Sequence, residues 1–122
     1  MTDTSQTPIY DPDQPIACTI EARDIANHID VLERIRQELT SIERTPHGVI
    51  LRLPPTLANI DDLRHFATVE KQCCAFWGFE LDQQPDAVQL RWDGPPDTAT
   101  FMAELVGYLE GRRPIGALFG SP

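Results

Sequence analysis

The spacing of apolar residues along this chain predicts seven secondary-structure elements. Alternation with a period of two is typical of half-buried strands, whereas spacings of three and four residues are typical of amphipathic helices. In chain order the elements are a strand at 16–22, a helix capped by Asp24 and running to Ile42, a strand at 49–53, a helix from Leu57 or Ile60 to Phe76 or Trp77, strands at 79–81 and 88–92, and a helix capped by Asp97 and running to Leu109.

Prolines and glycines mark the ends of several of these elements. Pro46, Pro54 and Pro55 cannot continue a helix, so they separate the second predicted strand from the helices on both sides. Gly78 and Gly111 are suited to end the second and third helices, because glycine readily adopts the left-handed conformation that often follows a helix.

The resulting order, β-α-β-α-β-β-α, predicts a single α+β domain at residues 16–120. The simplest packing is a four-stranded, mainly antiparallel sheet with the helices on one face. Residues 1–15 are polar, contain three prolines and show no periodicity, so they are predicted to form a flexible N-terminal arm.

Composition narrows the classes of function. The formal net charge of −9 opposes binding to a phosphate backbone, so direct nucleic-acid binding is not expected. The sequence shows neither a membrane span nor a signal peptide, and a cytoplasmic protein is expected. An odd number of cysteines, three, agrees with reduced thiols in that compartment. The acidic surface and the apolar tail at 115–119 would suit a partner protein or a homodimer.

A glutamate and two cysteines share the apolar stripe of the second predicted helix. At 100° per residue, Glu70 falls among the apolar positions, and Cys73 and Cys74 flank it one turn later. A buried carboxylate is costly unless it is paired, bound to a cation or protonated. Two interpretations stay open: Glu70 reaches water at the helix end, or Glu70 and the two cysteines line one pocket.

The adjacent cysteines allow three interpretations. A disulfide between Cys73 and Cys74 would be strained, because neighbouring Cα atoms lie closer than disulfide geometry prefers. Both residues could instead pack as small apolar side chains. The third interpretation is thiolate binding of a soft ion such as Hg(II), Cu(I) or As(III), with Cys18 of the first strand as third ligand. His28, on the apolar stripe of the first helix, is expected to be a hydrogen-bonded core residue, with a ligand role as the alternative.

Four segments resemble a family of small proteins that occur alone or as C-terminal extensions of mercury-responsive regulators of the MerR class. They are ACT at 17–19, GVILRLPP at 48–55, EKQCCAFWGFEL at 70–81 and ALFG at 117–120. The resemblance spans about 16–120, and it implies an association with thiol-reactive metal or metalloid response. The DNA-reading domain of those regulators has no counterpart here.

The helix motif of that family is E-x-x-C-C-P-F-F-x-F. The residues that match the family pattern are Cys18, Glu70, Cys73, Cys74, Phe76 and Phe79. Ala75 replaces the usual proline, which is expected to let the helix continue past the cysteines, and Trp77 replaces a phenylalanine.

Three functions follow as hypotheses. The first is a module that binds a soft metal or metalloid ion through Cys18, Cys73 and Cys74, with Glu70 as proton acceptor or oxygen ligand. The aromatic residues that would wall this site are Phe76, Trp77 and Phe79. The second is an enzyme for an organometal or another thiol-reactive small molecule, with Cys74 as nucleophile or ligand and Glu70 as acid. The third is a structural or interaction domain whose cysteines only pack. No organic cofactor is expected.

Overall fold

The structure is a computed structural model in which residues 8–15 and 22–112 are described. It contains three α-helices, four strands and one short 3-10 helix in that part of the chain. In chain order they are α1 (Ala22–Glu38), β1 (Ser41–Arg44), β2 (Gly48–Leu53), α2 (Leu57–Cys73), β3 (Gly78–Gln83), β4 (Val88–Asp93), the 3-10 helix (Pro96–Thr98) and α3 (Ala99–Leu109).

The four strands form one antiparallel sheet in the order β1-β2-β4-β3. The β1–β2 and β3–β4 pairs are hairpins, and β2 and β4 lie at the centre. The predicted α+β class and the four-stranded antiparallel sheet are therefore confirmed.

One face of the sheet is apolar across all four strands. Trp92 is paired with Val49 on one side and with Phe79 on the other, and Leu90 lies between Leu51 and Leu81. Cross-strand partners point to the same face of a sheet. These side chains join residues of all three helices in one hydrophobic core, and α2 and α3 contact this sheet.

The strand β1 was not predicted from the sequence. The predicted helix to Ile42 is too long, because α1 ends at Glu38 and the chain returns as β1. Ile42 pairs with Leu51, and the turn is closed by Thr45, whose Oγ1 accepts from the Gly48 N–H at 2.9 Å. Packing of the half-buried Ile42 against the core thus overrides its helical spacing. The predicted strand at 16–22 lies outside the described residues except for Ala22, which is helical.

Two helix starts differ from the prediction. Asp24 is not a cap, because it lies within α1, and Asp97 lies in the 3-10 helix that precedes α3. The cap of α2 is Thr56, whose Oγ1 accepts from the Asn59 N–H at 3.1 Å. Hydroxyl caps of this kind satisfy one of the free amides of the first turn.

Of the two glycines predicted to end helices, only Gly111 does so, because α2 ends at Cys73 and Gly78 begins β3. Gly111 follows α3 with φ of 80°, and the amides of Gly111 and Arg112 donate to the carbonyls of Tyr108 and Gly107. This pattern is a Schellman motif, which confirms the predicted stop. By contrast α2 ends at Cys73, so its predicted extension to Phe76 or Trp77 is wrong and Ala75 does not prolong the helix.

The described part of the N-terminal arm contacts the domain. The Ile9 N–H donates to Asp93 Oδ2 at 3.2 Å, and the Asp11 N–H donates to the Phe76 carbonyl at 3.0 Å. Asp93 is fully buried and also binds Arg91 at 2.8 Å. In the described residues, no helix is long and apolar enough to cross a membrane.

Candidate functional site

The two adjacent cysteines lie at the point where α2 ends. Cys73 is the last helical residue, and Cys74 takes φ −131° and ψ 82°, which turns the chain out of the helix. The Cys74 N–H still donates to the Glu70 carbonyl at 2.7 Å. As a result the two side chains have different surroundings, because Cys74 is buried in the core and Cys73 is half-buried.

The two cysteines also differ in oxidation state. Cys74 is disulfide-bonded, whereas Cys73 keeps its thiol. The strained disulfide between the two neighbours is therefore not formed, as the geometry of adjacent residues indicated. The expectation that every thiol is reduced does not hold for Cys74 in this structure. Cys18, the predicted third ligand, lies outside the described residues.

Glu70 lies inside the domain and is paired with a histidine. It is only 7% exposed, and its Oε1 lies 2.6 Å from Nε2 of His28. The interpretation in which Glu70 reaches water at the helix end is therefore wrong. A hydrogen bond to an imidazole offsets the cost of burying the carboxylate, so the requirement for a partner is met within the protein.

His28 is the core histidine that the sequence indicated. It is 2% exposed on α1, and its ring stacks on Phe66 with centroids 4.5 Å apart and planes 3° apart. The sequence did not show that its partner is Glu70. The sequence held one signal, because each residue is a polar member of an apolar helix stripe. The packing of α1 against α2, which brings the two together, is known only from the structure.

The aromatic residues after the cysteines form part of the core rather than an open wall. Phe76 and Trp77 are buried, and their ring centroids lie 4.6 Å apart. Trp77 meets Trp92 edge to face at 5.3 Å, and Phe79 lies 5.2 Å from the same Trp92. Edge-to-face pairs of this kind add to the stability that burial provides.

A surface cavity of about 440 Å³ opens beside this aromatic cluster. Its lining residues are Ile9, Ala67, Thr68, Lys71, Trp77, Gly78 and Phe79. Two of the three predicted wall residues thus contribute to it, but Glu70, Cys73 and Cys74 do not. This cavity is therefore not the predicted pocket that the carboxylate and both sulfurs would share.

The described residues contain no group of three His, Cys, Asp or Glu side chains that could hold a metal ion. The predicted three-sulfur set includes Cys18, on which the structure gives no information. Comparison of the chain with family models, with curated proteins and with solved structures finds no match. The resemblance to the extensions of mercury-responsive regulators therefore stays a prediction.

Proposed function

We propose that this chain is a binding module for a soft metal or metalloid ion of the Hg, As or Cu type, held by thiolates after reduction. The observation that carries the proposal is the disulfide of Cys74 beside the thiol of Cys73. A disulfide forms only where two sulfur atoms meet, so its reduction leaves two thiols close together and a third on the neighbouring residue. Soft ions of low coordination number favour such a set.

The ligands in this proposal are Cys73 and Cys74, with Cys18 as the third thiolate. Thiols must lose their protons when they bind a metal, so a proton acceptor nearby favours binding. Glu70 lies one helical turn before the cysteines and is hydrogen-bonded to His28, and this pair would take up the released protons. The aromatic residues Phe76, Trp77 and Phe79 would keep water away from the sulfur atoms.

Metal binding in this proposal requires a reducing compartment, and a cytoplasmic location is part of it. Reduction adds two electrons and two protons to the disulfide. A phosphine reductant supplies the electrons and becomes its oxide, with the oxygen and protons taken from water.

The test is titration of the full chain with arsenite or Hg(II) after phosphine reduction. We expect an ultraviolet sulfur-to-metal absorption band that saturates at one equivalent and is lost in Cys74→Ser. Cys18→Ser and Cys73→Ser show which other sulfur binds. A reduced, folded protein without any band would contradict the proposal, and full resistance of its thiols to a maleimide would favour cysteines that only pack.

The His28–Glu70 pair favours one alternative, an enzyme that cleaves a carbon–metal bond. A carboxyl group bound to an imidazole can deliver a proton during such a reaction. Here Cys74 would bind the metal, the carbon–metal bond would break, and the proton from Glu70 would form the new carbon–hydrogen bond. Hydrocarbon release from an organomercurial that is lost in Glu70→Gln, with metal binding retained, would support the enzyme.

A further inference from the structure

Every carbonyl group in the turn that follows the cysteines is hydrogen-bonded within the protein. The Cys74 carbonyl accepts from the Trp77 N–H at 3.1 Å, and the Phe76 carbonyl accepts from the Asp11 N–H at 3.0 Å. The carbonyls of Ala75 and Trp77 both accept from one side chain, the ammonium group of Lys71, which lies 2.6 Å from the Trp77 oxygen.

Lys71 is the only lysine in the sequence. The end of a helix leaves carbonyl groups without partners, and the chain here must also reverse direction between α2 and β3. An ammonium group has three donors and carries a full charge, so it can hold two carbonyls at once with charge-assisted hydrogen bonds. Because Lys71 lies on the last turn of α2, these two bonds tie the turn at 74–77 back onto the helix.

We infer that Lys71 is a positioning residue of the thiol site: it fixes the turn at 74–77, and with it the direction of the Cys74 side chain. This inference rests on the proposed function. Cys74 is the first residue of the turn, and its non-helical backbone directs its side chain into the core. Without Lys71 the turn would sample other conformations, and the sulfur atoms would have to be ordered when the ion binds.

Such a role affects ligand affinity through preorganisation. A site whose ligands are already placed binds more tightly than one that must be ordered first. The effect of Lys71 should therefore appear in the dissociation constant of the bound ion and in the mobility of the turn. Lys71→Met removes the ammonium and keeps the length of the side chain, whereas Lys71→Arg keeps the charge and several donors.

The experiment compares the wild type, Lys71→Met, Lys71→Arg and Arg64→Met as full-length, phosphine-reduced proteins. Arg64 is an exposed cation on the same helix, 4.0 Å from Asp61, so Arg64→Met is a control with the same change in charge. Hydrogen exchange of the Trp77 amide measures the mobility of the turn, and arsenite titration measures the dissociation constant of the bound ion. The position of the sulfur-to-arsenic absorption band reports the geometry of the ligands.

In Lys71→Met we expect exchange of the Trp77 amide to become about tenfold faster. The dissociation constant for arsenite should rise about tenfold, with a shifted absorption band. Lys71→Arg should restore both the exchange rate and the dissociation constant to near the wild-type values. Arg64→Met should match the wild type. A loss of overall stability alone would not shift the band of the folded complex or be reversed by arginine.

Several outcomes would overturn the inference. Equal exchange in Lys71→Met and Arg64→Met would show that the ammonium does not hold the turn. Faster exchange with unchanged arsenite binding would show that the turn does not position the sulfur atoms. If the reduced wild type binds no arsenite, the proposed function fails and the positioning role fails with it. Hydrogen exchange alone then decides whether Lys71 closes the turn.

Discussion

Nε2 of His28 lies 2.6 Å from Oε1 of Glu70, and this hydrogen bond joins α1 to α2 inside the domain. Both residues are more than nine-tenths buried. Buried ionisable pairs seldom add stability over apolar residues of similar size, but removing one member leaves the other without its partner. The pair therefore behaves as a unit in any mutational experiment.

We expect His28→Leu to lower the free energy of unfolding by about 3 kcal/mol, because the Glu70 carboxylate loses its hydrogen bond in the core. Glu70→Leu should also destabilise the domain. The double variant His28→Leu/Glu70→Leu should lose much less than the sum of the two single changes. Urea denaturation of all three proteins provides the measurement, and additive losses would argue against coupling.

A second prediction concerns pH. Hydrogen bonds from Arg36 and then from Tyr108 lower the pKa of Glu33 to about 2 from an ordinary value of 4.5. A depressed pKa of a carboxylate stabilises the folded state above the unfolded pKa, and this stabilisation is lost as the pH falls through the folded pKa. The stabilisation by Glu33 is therefore lost in a pH window between about 4.5 and 2.

Glu33→Gln should lower the free energy of unfolding by about 0.5 to 1 kcal/mol at neutral pH, since the carboxylate is partly exposed and solvent weakens its bonds. The difference from the wild type should shrink as the pH falls through the window and vanish near its lower end. Chemical denaturation at a series of pH values measures it. A difference that persists at the lowest pH would exclude this origin. Gln37→Ala, beside the same carboxylate, is a control that keeps the hydrogen bonds from Arg36 and Tyr108 to Glu33.

The third prediction tests the contact between the N-terminal segment and the start of β3. A Cβ atom at residue 78 would lie 2.1 Å from the Ile9 carbonyl oxygen, so Gly78→Ala must displace that segment. We expect a loss of about 1 to 3 kcal/mol and faster proteolysis within residues 8–15. Gln72→Ala, an exposed change on α2, should leave cleavage unchanged. Equal cleavage of both variants would mean that the segment is not held at Gly78.

The fourth prediction concerns the end of α3. Gly111 has a φ of 80°, where side chains other than glycine are strained. Gly111→Ala should cost about 1 kcal/mol, and Gly111→Asn should cost less because asparagine tolerates the left-handed region. The order of the two denaturation midpoints tests whether residue 111 adopts the left-handed conformation. An alanine variant as stable as the wild type would contradict that conformation.

The sequence predicted the class of the fold better than the identity of its strands. The alternation around Leu51 and Leu90 was clear enough to define the two central strands. Ile42 was assigned to the first helix, because one apolar residue at helical spacing gives no sign of the hairpin partner across the turn. Pairing between residues that are distant in sequence decides such cases, and local periodicity does not contain it.

The same limit applies to the candidate site. The sequence placed Glu70 on the apolar stripe of its helix but left open whether it reaches water or lies in a pocket, and it indicated that His28 would be a core residue. It did not show that each meets the other's requirement, since that depends on how two helices pack. Periodicity also continued α2 to Phe76 or Trp77, whereas the helix ends at Cys73 and places the two cysteines in unlike surroundings.

Among residues 8–15 and 22–112, the strand order leaves β1 and β3 at the edges of the sheet. β1 has only four residues, and β3 carries the exposed charges of Glu80 and Asp82. Short and charged edges resist pairing with the edge of another molecule, which is the first step of many forms of aggregation. In the described part of the chain, neither edge is therefore well suited to pairing with the edge of a second copy.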